Sequence, residues 1–304
     1  LNKHTQLYCL NSRSNLLQKV LENGMRWLRK MIHPDGEISF FNDATLGVAP
    51  TLKDLELYCA VIDVKSKLYP NSKKNWISSH LEESGYIILD HAREHRAIIN
   101  VAEISPKYQP GHAHADTLSY ELSLYGQRLF VNSGISTYSV GSERQYQRGT
   151  RSHNTVEVNN ENSTEVWSGF RVGRRARLHN VSLKLNYDSI LVSASHDGYS
   201  RLPGSIITER TWLFENDYIQ IVDKLIGNWS SAISRLYCHP SIEVCKLGDN
   251  EILINLPKGQ QVRLNIQNAF ELRLVDSHWN CGFGISVPNT CIETVLACPK
   301  IIFK

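Results

Sequence analysis

The stretch "GHAHAD" places His112, His114 and Asp116 at every second position. Imidazole and carboxylate groups move protons near neutral pH and ligate transition metals. On a β-strand, alternate residues share a face, so this spacing predicts a strand that turns all three side chains one way. Together they would make a metal site, a catalytic base, or both.

The elements that must position these residues are those of a packed protein. The chain has 304 residues, 41% hydrophobic and 21% charged, enough for one large domain or two ordinary ones. A net charge of +3 gives no footprint for nucleic acid. No apolar run reaches the roughly 18 residues of a membrane helix. The opening "LNKHTQLYCLNSRSNLL" starts at Leu1, not Met, and lacks a signal pattern, which reads as the interior of a longer chain. The seven cysteines form no Cys-x-x-Cys, so neither a disulfide framework nor a thiolate zinc site is expected. One bridge among Cys281, Cys291 and Cys298 stays open.

The first quarter reads as helical. Leu16, Leu17, Val20, Leu21, Met25, Leu28 and Ile32 recur at helical spacing, and Pro34 and Gly36 end the pattern. A second amphipathic helix is predicted over 51–69, with Thr51 and Asp54 near its start. "PNSKKN", 70–75, reads as a linker. From about residue 83 the period becomes two, in many short runs separated by Gly, Asn, Asp and Pro. These include "GYIILD", "TLSYELSLY", "ITERTWLFE" and "FGISV". That pattern predicts a large antiparallel β-sandwich, with a helical segment over 1–76 and the sandwich over 77–304.

Beyond the residues themselves, "GHAHADTLSYELSLYGQRLFVNSGISTY", "RGTRSHNTVEV" and "EVWSGFRVGRRAR", in this order, resemble the heparinase II/III-like family of polysaccharide lyases. The resemblance is strong over about 85–180. It is looser over 11–60, where "MIHPDGEISFFNDA" looks like the last turns of the family's helical toroid. It implies a mainly β fold, an antiparallel sandwich behind a short α-helical remnant of an (α/α) toroid. It also implies β-elimination on an acidic, uronate-containing polysaccharide such as an alginate, a glycosaminoglycan or a capsule polymer. In that chemistry a base removes the proton next to the sugar carboxylate, a polar group neutralises the carboxylate, and a Tyr usually acts on the leaving oxygen. By the same resemblance His112 faces the cleft, His114, Asn132 and His153 hold a structural zinc, and Asp116 orients a neighbouring imidazole, as carboxylates behind ligating histidines do, or caps the turn. The family usually has Asp where Asn132 stands, and a neutral amide is a poor zinc ligand. The neutralising group and the catalytic Tyr are expected on a toroid upstream of this sequence.

The weaker signals have plainer readings. "HAREH", 91–95, matches the inverted zincin motif but lies between two strand-like runs, so a hairpin turn is expected. Arg171, Arg174, Arg175 and Arg177 form either a solvated edge or a basic wall for an anionic polymer, with Arg175 and Arg177 on one face. The segment 137–155 reads as a long loop. It offers Tyr146 as a catalytic candidate beside His112, and Tyr138, Arg148 and Arg151 as substrate contacts, with Arg175. Asp43 in "FFNDA" would cap the next segment or meet substrate. His33, His179, His196, His239 and His278 read as structural or surface histidines.

The expected function is a polysaccharide lyase, or the C-terminal domain of one, at the periplasm or cell envelope. A carbohydrate-binding module and a metal-dependent hydrolase are the alternatives. An unsaturated uronate product separates the lyase from both.

Overall fold

The computed structural model describes residues 3–62, 64, 75–106 and 108–304, with side chains from residue 15 onward. Strands dominate it. An eight-stranded sheet forms one layer, and a five-stranded and a four-stranded sheet form the other. Neighbouring strands pair antiparallel throughout these sheets. The five- and four-stranded sheets are joined edge to edge by an antiparallel bridge between Phe130 and Cys238. One core lies between the layers, with Trp212, Phe214 and Ile221 from one side and Ile87, Leu89, Tyr120, Leu236 and Ile292 from the other. Each such aliphatic or aromatic side chain contributes about 1.5–3 kcal/mol by leaving water.

Strand Ile206–Glu215 alternates buried and half-buried residues along its whole length, as a strand with one core face should. Strand Tyr86–His91 is buried at every position, because both its faces are covered. Ile87 and Leu89 enter the main core, while Tyr86 and Ile88 pack against Met31 and Phe41. The segment after the first helix therefore lies on the outer face of the five-stranded sheet, and that placement carries it to the site.

Helix α1 spans Lys3–Lys30 and α2 spans Leu52–Val61. Thr51 and Asp54 form a capping box at the start of α2, and Arg29 of α1 bonds Glu56 of α2 at 2.7 Å. The apolar stripe of α1 is buried only toward its end: Met25 packs with Cys59 and Val64, whereas Leu16, Leu17 and Val20 are exposed. The second helix, expected over 51–69, ends at Val61 with Ile62 as its C-cap. Residues 63 and 65–74, which hold the remainder of that reading and nearly all of the linker expected at 70–75, lie outside the described residues.

Several local expectations are corrected. His112, His114 and Asp116 are not on a strand. Ala113 N–H closes a turn onto Pro110 O, Ser119 N–H closes another onto Asp116 O, and Leu118 sits at φ 60°. The strand begins only at Tyr120. The segment 137–155 is not all loop: helix α3, Ser142–Arg148, and a 3₁₀ turn, Thr150–Ser152, lie within it. Seven residues cannot hold a helix by propensity alone; burial of Arg144, Gln147 and Arg148 holds this one. "FGISV" straddles the turn between strands Ala269–Gly282 and Ile285–Leu296. In "FRVGRRAR" only Arg171–Val172 is strand, so the predicted alternation of the arginines fails. "HAREH" is the hairpin turn expected, joining Tyr86–His91 to His95–Asn100. All six described cysteines are free, which closes the question of a bridge among Cys281, Cys291 and Cys298.

Candidate functional site

The buried carboxylate of Asp43 is the centre of the site. His112 Nδ1 lies 2.8 Å from its Oδ2, and His114 Nε2 lies 2.8 Å from its Oδ1. The Arg144 guanidinium meets the same carboxylate in bidentate fashion, with Nη2 2.7 Å from Oδ2. Burial alone would raise the Asp43 carboxyl. Hydrogen bonds from His114 and Arg144, with the Arg144 charge, instead hold it well below the usual carboxylate range. An ionised carboxylate only accepts, so both imidazoles donate to it. That leaves Nε2 of His112 with its lone pair, on a side chain 58% exposed to solvent. A solvent-facing imidazole nitrogen backed by a fixed carboxylate is the arrangement of a general base with its orienting partner.

The loop that carries Asp43 is fixed by the sandwich beneath it. Glu121, fully buried on strand Tyr120–Leu124, accepts from His33 Nε2 at 2.9 Å, Phe40 N–H at 3.1 Å and Asn132 N–H at 2.7 Å. Arg128 bonds Asp35 and the carbonyls of Glu37 and Ile38. Asn42 takes a left-handed φ of 54°, and its N–H is accepted by Asp116, whose carboxyl burial pushes up to about 7. The spaced histidines and aspartate are thus split by the turns, with His112 and His114 on Asp43 and Asp116 on the backbone beside it.

His114 and His153 are brought together. His114 Nδ1 and His153 Nε2 are 3.3 Å apart, both rings fully buried. Burial lowers the pKa of both and so favours their neutral forms. Since His114 donates from Nε2, its Nδ1 accepts from His153, and His153 Nδ1 is left without a hydrogen-bond partner. Asn132 adjoins them with its amide engaged on both sides. Nδ2 donates to Phe40 O at 2.9 Å, and Oδ1 accepts from Asn154 N–H at 3.2 Å. A carboxylate at 132 would turn an oxygen against Phe40 O, so the backbone selects an amide here. Two imidazoles and an engaged amide do not match the donor set of a structural zinc, which takes four strong ligands. No group of three or more His, Cys, Asp or Glu suited to a metal occurs among the described residues. Chelator treatment is therefore expected to leave the thermal unfolding midpoint unchanged. A fall of several degrees on chelation, absent in His114→Ala, would restore the zinc.

Other candidate residues are dispersed. Arg148 is not available to substrate: it is fully buried, donating to the carbonyls of Ala113, Trp167, Ser168 and Arg171. Tyr146 lies two residues from Arg144 on α3, roughly 200° around the helix, and its hydroxyl meets that of Tyr237 at 3.0 Å. Arg151 stacks on the Tyr146 ring, 5.0 Å from its centroid, and both line a separate cavity of about 750 Å³ with Glu157 and Asp276. The structure thus does not bring Tyr146 to His112. Arg175 is half-buried, donates to Ile104 O and lines a third cavity with Arg174, Arg177 and Asp197. Tyr138 is at the site, its ring centroid 5.9 Å from that of His112. Arg144 had no signal while 142–148 read as loop. Its i, i+4 spacing to Arg148 becomes visible only once the helix is known.

Comparison with known proteins follows the same lines. The family described as Heparinase II/III-like, C-terminal matches residues 73–300. A heparin-sulfate lyase of Bacteroides stercoris is 24% identical over 173 residues, 56% of this chain and 24% of that protein. A solved heparinase III superposes with a TM-score of 0.72 at 16% identity, over 95% of this chain and 48% of its own. The heparan sulfate lyase HepC of Pedobacter heparinus gives 0.70 at 15% identity, over 93% of this chain and 46% of its own. The chain thus spans less than half the length of these relatives.

Proposed function

We propose, for a chain that belongs to the heparinase II/III-like, C-terminal family, that it supplies the sandwich side of a polysaccharide lyase site. Its substrate is a uronate-containing, glycosaminoglycan-like polymer, in keeping with the names of the relatives it resembles. The observation that carries this reading is the Asp43 carboxylate, which fixes His112 with Nε2 turned to solvent.

The chemistry follows from the substrate. The proton next to a uronate carboxylate becomes acidic only as that carboxylate is neutralised and the enediolate-like transition state is stabilised. His112 Nε2 takes the proton, and ionised Asp43 faces the ring as it gains charge. The leaving oxygen departs as the ring double bond forms. Arg144 and Arg148 are buried and engaged; the resemblance to the family implies that a helical toroid carries the groups that neutralise the substrate carboxylate and protonate the leaving oxygen. Because such polymers are too large to cross a membrane unaided, the reaction belongs at the periplasm or cell envelope. No described helix is long and apolar enough to cross a membrane.

The test is formation of unsaturated uronate from a panel of glycosaminoglycans, by this chain and by any longer chain that contains it. His112→Ala is expected to lower kcat by about 10²–10⁴, the usual worth of a general base, with the melting temperature unchanged because the side chain is exposed. Polymer retention without unsaturated product would replace the lyase by a binding module.

A further inference from the structure

Two aromatic rings, Tyr138 and Phe170, pack against His112 and a third, Phe283, packs against Tyr138, and the reaction described above uses none of them. Tyr138 is 36% exposed, Phe170 43% and Phe283 41%. Ring centroids of Tyr138 and Phe170 lie 5.2 Å apart, those of Tyr138 and Phe283 4.8 Å apart, and those of His112 and Phe170 5.7 Å apart. Phe170 comes from the turn between strands Val166–Trp167 and Arg171–Val172, and Phe283 from the turn after Ala269–Gly282. Two hairpin tips distant in sequence therefore converge on one tyrosine. Burial of these rings within the fold would have been the ordinary outcome for such residues. A contiguous exposed apolar patch with polar groups at its edge marks a binding surface.

We infer that Tyr138, Phe170 and Phe283 form a sugar-stacking subsite beside His112, and that it holds the polymer by the C–H face of a pyranose ring rather than by ion pairs. Continuity with His112 identifies the occupant as the glycan itself. The cation that touches the rings, Arg144, lies 5.1 Å from the Tyr138 centroid and 5.4 Å from that of Phe170. It is fully buried and bidentate to Asp43, so it supports the rings from behind and offers nothing to sulfate. Phe170 and Phe283 both meet Tyr138 at steep angles, 63° and 76°, so the cluster presents ring faces in more than one direction, as a notch for a sugar requires. This inference rests on the lyase reading for its choice of polymer, but binding tests it without turnover.

The experiment is titration of this chain with two size-matched oligosaccharides, one of unsulfated heparosan and one of heparin, at low and high salt. Phe170→Ala and Phe283→Ala are compared with wild type. Both rings are exposed, and thermal unfolding verifies that each variant is folded. The expected result is a roughly tenfold loss of heparosan affinity in each variant, about 1.4 kcal/mol, with the wild-type heparosan affinity nearly independent of salt. His112→Ala would retain that affinity while losing turnover. Loss of binding in the phenylalanine variants without any lyase product from wild type would keep the subsite and remove the lyase. Unchanged affinity in both phenylalanine variants would overturn the subsite and leave the rings as a contact for another protein segment. So would wild-type binding that collapses with salt, which would place the polymer on the arginines instead.

Discussion

Asp43→Ala is expected to lower stability by about 3–5 kcal/mol, because it leaves the Arg144 guanidinium buried without a counter-charge. The Asp43 side chain is 4% exposed and that of Arg144 0%, so water cannot take over the lost bonds. For a chain of this size that corresponds to a fall of about 5–8 °C in melting temperature. Turnover should fall by at least the factor expected for His112→Ala, since the imidazole loses the group that sets its tautomer. A second variant separates the two effects. Asp43→Asn with Arg144→Gln removes both charges while keeping the shape, so stability should return in large part and activity should not. Wild-type melting of Asp43→Ala would show that the carboxylate does not hold the loop.

Asp223→Ala, in the eight-stranded sheet, should cost about 3–5 kcal/mol as well. Arg210 and Asp223 face each other on neighbouring strands of the eight-stranded sheet, with Arg210 Nη2 2.8 Å from Asp223 Oδ2. Burial disfavours the Arg210 charge, and the Asp223 charge and hydrogen bonds more than reverse this, so its pKa is raised. The same guanidinium crosses the sandwich to the carbonyls of Leu118 and Asn154. Leu118 follows the His112–Asp116 turns and Asn154 follows His153, so one arginine ties both loops to the opposite layer. Removing Asp223 alone leaves this charge stranded. Arg210→Met with Asp223→Leu should recover much of the loss, as apolar replacements of buried pairs often do, but should loosen His114 against His153. Chemical denaturation of the three variants checks this. Equal stability of Asp223→Ala and wild type would contradict it.

The difference between these two clusters shows what a sequence can announce. His112 and His114 were legible as candidates, because side chains two residues apart would share a face of a strand. Asp43, their partner, lies 69 residues before His112; the sequence offered it as a cap or a substrate contact, with no sign that it would meet the two histidines. Arg210 and Asp223 read as ordinary alternating strand residues, since period two says which face a residue occupies and not what crosses the core to meet it.

The antiparallel sandwich was legible from local order alone: alternation such as that of Ile206–Glu215 reflects a single covered face, and turn residues mark where each strand must end. The hairpin at 91–95 and the capping box at Thr51 are equally local. Motif order over about 85–180 was sufficient to name the family that residues 73–300 match. Tertiary structure decided the rest. It made turns of the expected His-x-His-x-Asp strand, because the chain at 111–119 must wrap the buried Arg148 and grip Asn42 and Asp43. It made a helix of the expected loop at 142–148, because two arginines there find carbonyls and a carboxylate only in the folded chain. It withdrew Arg148 and Tyr146 from the reacting side and brought Phe170 and Phe283 to it. Side-chain spacing determines which residues can share a face; only the packing of distant segments determines which of them meet.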